Sequence, residues 1–88
     1  MLERDLLVSH HMGLHAQASA KVVHVLAVYL CQVTFVAKGR EVNAKSIMGV
    51  MLLAAGPGTS IKVRCHGNDE VQAMAAIEAL FSSGFAEA

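Results

Sequence analysis

The chain has 88 residues, which is one small domain over 1–88 and too short for two, and a domain this size buries only about 60–65% of its unfolded surface. With 55% hydrophobic and 16% charged residues, seven glycines and one proline, it has material for a core and too little charge for disorder. Seven Lys and Arg balance seven Asp and Glu, which excludes the basic footprint of a nucleic-acid binder, and the apolar runs 22–30 and 47–55 fall short of the ~20 residues that cross a bilayer.

The first residues, Met-Leu-Glu-Arg-Asp, lack the charged-then-apolar pattern of a secretory signal, so a cytoplasmic protein is expected. Residues 2–8 read as a strand with Leu2, Leu6 and Val8 on one face, ending at Ser9-His10-His11. Gly13 breaks the chain. From about Ala16 the segment AQASAKVVHVLAVYL, residues 16–30, reads as one amphipathic helix with Ala20, Val23, Ala27 and Leu30 as its apolar stripe and Gln17, Lys21 and His24 along another. Cys31 follows; it and Cys65 are isolated, with no CxxC, and read as reduced, buried small hydrophobes.

Residues 32–37 alternate Val33 and Phe35 against Gln32 and Thr34, Lys38-Gly39 supplies a turn, and 40–44 return as a partner strand. Ser46 is an N-cap residue for a second, shorter helix, IMGVMLLAA, that stops at Gly56-Pro57-Gly58. Residues 60–66 give the cleanest period-two signal, Ile61, Val63 and Cys65 inward against Lys62, Arg64 and His66 outward. Asn68 then caps a third helix, with Asp69 and Glu70 in its first turn and Val71, Met74, Ile77 and Phe81 as an apolar stripe ending near Gly84. The order is β-α-β-β-α-β-α, and polar outward residues suit an antiparallel α+β sheet with one wet face and one face under helices.

Two stretches carry chemistry. Met12-Gly13-Leu14-His15-Ala16-Gln17 sets a histidine just before a helix, where backbone N–H groups near Ala16 and Gln17 and a partial positive charge form an anion site. Imidazole changes charge near neutral pH and is nucleophilic when unprotonated, so phosphoryl transfer is one reading of His15. A plain N-cap-like loop residue is the other, and a metal site of His10, His15 and His66 matches no regular ligand spacing. The second stretch, 45–53, is apolar all round the helical wheel, which fits either a helix well buried in a tiny protein or an exposed docking patch adaptable through its methionines. Ser46 is either a bare N-cap or a place where a phosphate would add about −1.5 to −2 charges beside that patch.

Gly13-Leu14-His15 before one helix, Ala44-Lys45-Ser46-Ile47-Met48 before the next, and Gly56-Pro57-Gly58-Thr59 before a strand together resemble the HPr family of phosphocarrier proteins, over nearly the whole chain. The ending Ala79-Leu80-Phe81-Ser82-Ser83-Gly84-Phe85 looks most like nitrogen-branch members. The resemblance implies an open-faced β-sandwich, a four-stranded antiparallel sheet of order 1-4-2-3 covered on one side by three helices. It implies a monomer of the bacterial phosphoenolpyruvate-dependent phosphotransferase system, more a substrate of its partners than an enzyme, with no cofactor or metal of its own. His15 would accept a phosphoryl group through Nδ1 from phosphorylated enzyme I and pass it to an enzyme II A component. The amides at Ala16 and Gln17 would hold the phosphoryl oxygens. Ile47, Met48 and Met51 would dock partners, and Ser46 matches the serine modified by an HPr kinase/phosphorylase where an organism has one.

Two positions depart from the family. Its members usually carry Arg and then Pro after the residue that follows the histidine; here these are Gln17 and Ala18. A neutral amide in place of a guanidinium weakens phosphohistidine stabilisation by ~1–3 kcal/mol, and losing proline loosens the turn that aims His15. Lys21, Lys45 or His24 are candidates to supply the missing charge. The alternative function is a regulatory module acting through Ser46, with weak or absent transfer by His15.

Overall fold

The computed structural model describes residues 1–9 and 12–87. The elements are β1 (Leu2–Leu7), α1 (Ala16–Leu26), β2 (Gln32–Ala37), β3 (Arg40–Asn43), α2 (Ile47–Leu52), β4 (Ser60–His66), α3 (Glu70–Ser82) and a last short turn of helix, α4 (Gly84–Glu87). The strands form one antiparallel sheet of order β1-β4-β2-β3, with Val63 opposite both Arg4 and Phe35. Alternation does the sorting: Val33, Phe35, Ile61, Val63 and Cys65 point under the helices and are buried, while Gln32, Lys62 and His66 face water. Arg64 crosses the open face to Glu3 at 2.7 Å and to Glu41 at 3.4 Å. The architecture is the expected open-faced one, and both cysteines are buried free thiols.

Several expectations about the helices need correction. The buried stripe of α1 is Ala18, Val22 and Leu26, whereas Ala20, Ala27 and Leu30 are exposed and Val23 is half-buried. The pairs Val22-Val23 and Val25-Leu26 allow the stripe to be drawn in either of two phases, and packing against the sheet and the other helices buries the one that runs through Ala18, Val22 and Leu26. The helix also ends four residues early. Ala27 N–H bonds back to His24 and Tyr29 N–H to Leu26, and the amides of Leu30 and Cys31 are taken by the carboxylate of Asp69 at 2.8 and 2.9 Å, leaving Leu30 94% exposed.

That same carboxylate explains the second correction. Asp69, not Asn68, holds the N-cap position of α3, and its side chain reaches across to the 30–31 peptides rather than to its own helix. Its amide partners, that of Leu30 foremost, hold its carboxyl below the usual carboxylate range, and the Gly67 amide does the same for Glu70. Val71, expected in the core, is 64% exposed, and the buried face of α3 is made by Ala73, Met74, Ile77, Leu80 and Phe81. Thirdly, Gly84 and Phe85 both take left-handed backbone, which folds the chain back so that Phe85 packs against Phe81 at 4.9 Å between ring centroids. The left-handed geometry of Phe85 costs about 1–2 kcal/mol, and burial of its ring offsets it by about 1.5–3 kcal/mol.

Candidate functional site

His15 is the N-cap of α1, with extended backbone at φ −75° and ψ −175°. Its imidazole Nδ1 accepts the backbone N–H of Gln17 at 3.1 Å, a bond exposed to solvent, while Nε2 is buried. The lone pair therefore sits on the exposed nitrogen, and in the neutral ring the proton belongs to Nε2. No acidic side chain occupies the first turn of α1 to compete for its amides. A separation of 3.1 Å leaves no room for a phosphorus atom between ring and amide. A phosphoryl group on Nδ1 would displace this contact and offer its own oxygens to the same end of the helix.

The loop that aims the ring is held from two sides. Gly13 has φ +67°, and a Cβ there would lie 2.3 Å from the Ala55 carbonyl oxygen, so the loop lies directly on the chain that follows α2. Leu14 N–H donates to that oxygen at 2.9 Å. On the other side, Ser19 donates from Oγ to the Leu14 carbonyl at 3.2 Å and from its backbone N–H to the His15 carbonyl at 2.9 Å. The 54–56 strip is itself anchored from the β2–β3 hairpin: Lys38 Nζ donates to the Ala54 carbonyl at 2.8 Å and Arg40 to that of Leu52 at 2.7 Å. The C-terminal carbonyls of α2, whose last turn has no basic residue, thus receive cationic donors from a neighbouring element.

Ser46 caps α2, its Oγ accepting the Gly49 N–H at 3.1 Å. Val50 and Leu53 turn into the core, and Ile47, Met48, Met51 and Leu52 are exposed, Met48 at 74%. The all-apolar wheel thus resolves into a buried edge and a contiguous outward face in which Ile47, Met48 and Met51 stand together.

The structure separates other residues. Lys45 donates from Nζ to the Tyr29 carbonyl, just past the C-terminal end of α1, and His24 lies in the last turn of that helix, so neither stands beside His15 in place of the family's Arg. Gln17 is exposed, and its backbone, rather than its amide side chain, meets the imidazole. His66 pairs with Gln32 near the C-terminal end of α1, away from His15, and His10 lies outside the described residues; among those described, no group of three or more His, Cys, Asp or Glu could hold a metal ion. Burial pushes the Cys65 thiol up to about 11 and raises Cys31 as well, so both stay protonated and inert near neutral pH. Among the described residues no helix is long and apolar enough to cross a membrane. Sequence reasoning missed Ser19, Lys38, Arg40 and Asp69; only Ser19, a polar residue inside an apolar helical run, offered a signal.

Comparison with known proteins agrees with this geometry. A family model described as "PTS HPr component phosphorylation site" matches residues 2–83. The phosphocarrier protein HPr of Xylella fastidiosa strain 9a5c is 54% identical over 87 residues, covering 99% of this chain and 98% of its own, and that of Cupriavidus necator is 46% identical over 87 residues, with the same coverage. Among solved structures, HPr of Thermoanaerobacter tengcongensis superposes with a TM-score of 0.94 at 34% identity, covering 100% of this chain and 99% of its own. HPr of Bacillus anthracis superposes at 0.86 with 34% identity, covering 91% and 95%. With the sheet order, the histidine at a helix start and these matches all in accord, the chain belongs to the HPr family of phosphocarrier proteins of the phosphotransferase system.

Proposed function

We propose that His15 is the phosphoryl acceptor, taking the group on Nδ1 from phosphorylated enzyme I and passing it to an enzyme II A component. The observation that carries this reading is the exposed Nδ1 lone pair held 3.1 Å from the Gln17 amide at the open start of α1. As the Nδ1–phosphorus bond forms, the bond from phosphorus to the donor breaks and its electron pair leaves with the donor; the reverse happens at the acceptor. Such transfer needs positioning and charge stabilisation more than covalent machinery. The backbone at Ala16 and Gln17 supplies that stabilisation in the absence of a guanidinium. Nothing in this scheme calls for a cofactor.

Ile47, Met48 and Met51 form the surface on which enzyme I and the A component dock in turn, and methionine suits a surface that meets two partner shapes. Ser46 borders that surface and is the regulatory position for an HPr kinase/phosphorylase, since a phosphate there would set charge against an acidic partner. The same reading makes the protein a monomeric carrier working in the cytoplasm.

The test is intact mass after incubation with phosphoenolpyruvate and enzyme I, with wild type beside His15→Ala and Ser46→Ala. One phosphate is expected in wild type and Ser46→Ala, none in His15→Ala, and the label should be lost in mild acid. An acid-stable label that survives His15→Ala, or none on a folded wild type with active enzyme I, would overturn the reading in favour of a module regulated through Ser46.

A further inference from the structure

We infer that Ser19 is a positioning residue for His15, fixing the backbone on both sides of the histidine so that Nδ1 stays at the helix start; this rests on the reading of His15 as phosphoryl acceptor. Ser19 is the one polar residue fully buried among the described residues, and it lies beside the apolar stripe of Ala18, Val22 and Leu26. A hydroxyl taken out of water is costly to keep unless it makes a hydrogen bond. This one donates to the Leu14 carbonyl at 3.2 Å, while the Ser19 backbone N–H donates to the His15 carbonyl at 2.9 Å.

Those two carbonyls belong to the peptides immediately before and after the His15 Cα. Holding the first restrains φ of His15 and holding the second restrains ψ, so the direction of the Cα–Cβ bond follows from one residue. The backbone bond would survive any side chain at 19 except proline; the Oγ bond needs a hydroxyl there. Ala16, Gln17 and Ala18 carry no proline ring to restrict the first turn covalently, so the side-chain bond bears that task. An alanine at 19 would serve the helix itself equally well or better, which leaves the hydroxyl without a purpose in helix formation.

The experiment compares wild type, Ser19→Ala and Ser19→Thr, which keeps Oγ. Ring 15N spectra of His15 are recorded on the unphosphorylated proteins, and initial rates of phosphoryl transfer from enzyme I are measured beside them. Ser19→Ala should move the ring from a predominant Nε2–H tautomer toward a mixture. It should lower kcat by about tenfold with the KM for enzyme I unchanged, because the docking face is untouched. Ser19→Thr should recover both. Wild-type ring spectra and wild-type kcat in Ser19→Ala would overturn the inference. A wild type that takes no phosphate on His15 would instead sink the functional reading, and the ring spectra would still decide whether Ser19 orients the imidazole.

Discussion

Backbone amides at the start of α1 and just past its end meet opposite kinds of partner. Past the C-terminal end, the amides of Leu30 and Cys31 are closed off by the carboxylate of Asp69, and the Tyr29 carbonyl is taken by Lys45. At the N-terminal end, the Gln17 amide meets the Nδ1 of His15, an exposed partner that chemistry can change. A fixed carboxylate makes one end a structural clamp. On the proposed function, an imidazole nitrogen leaves the other end able to trade a ring nitrogen for phosphoryl oxygens. The same kind of backbone group thus serves stability at one end and, in the proposed function, transfer at the other, according to what is set opposite it.

The sharpest way to break this contrast is to lift the loop at the open end. Gly13→Ala places a Cβ 2.3 Å from the Ala55 oxygen in left-handed backbone, so a stability loss of about 2–4 kcal/mol is expected by urea denaturation, together with slower phosphoryl transfer. Loss of stability with transfer fully retained would show that the loop does not aim His15. Next in size is the closed end: Asp69→Ala should lower the melting temperature while leaving His15 phosphorylation intact. Because the folded carboxyl of Asp69 lies below its ordinary value, its contribution is present above the unfolded carboxylate range and is lost as pH falls through the folded value. Melting curves of wild type and Asp69→Ala should therefore converge in acid; a gap that stays constant would contradict the clamp. Smallest in stability is Met48→Asp, which should change the unfolding free energy by less than about 0.5 kcal/mol and raise the KM for enzyme I by about tenfold.

How far the sequence was legible follows from the same comparison. The sheet could be read because period-two alternation in 60–66 and 32–37 admits one choice of inner face, and Ile61, Val63, Val33 and Phe35 lie where it puts them. His15 and Ser46 could be placed at helix starts because capping chemistry is local, and both caps are made. The phase of α1 was not legible, since adjacent apolar pairs support two stripes. Nor were the long-range holds legible: Asp69 to 30–31, Lys38 and Arg40 to the end of α2, and Gly13 on Ala55 join residues far apart in sequence through backbone atoms that leave no mark on composition. Phe85 entered the core by a left-handed turn that no apolar period announces.

The most direct test of the account follows the backbone amides of both ends by NMR as the protein is phosphorylated with enzyme I and phosphoenolpyruvate. The Ala16 and Gln17 amide protons should move strongly downfield as phosphoryl oxygens replace the imidazole, while those of Leu30 and Cys31 stay in place. Phosphorylation on His15 that leaves the Gln17 amide unmoved would contradict the claim that the start of α1 holds the phosphoryl group.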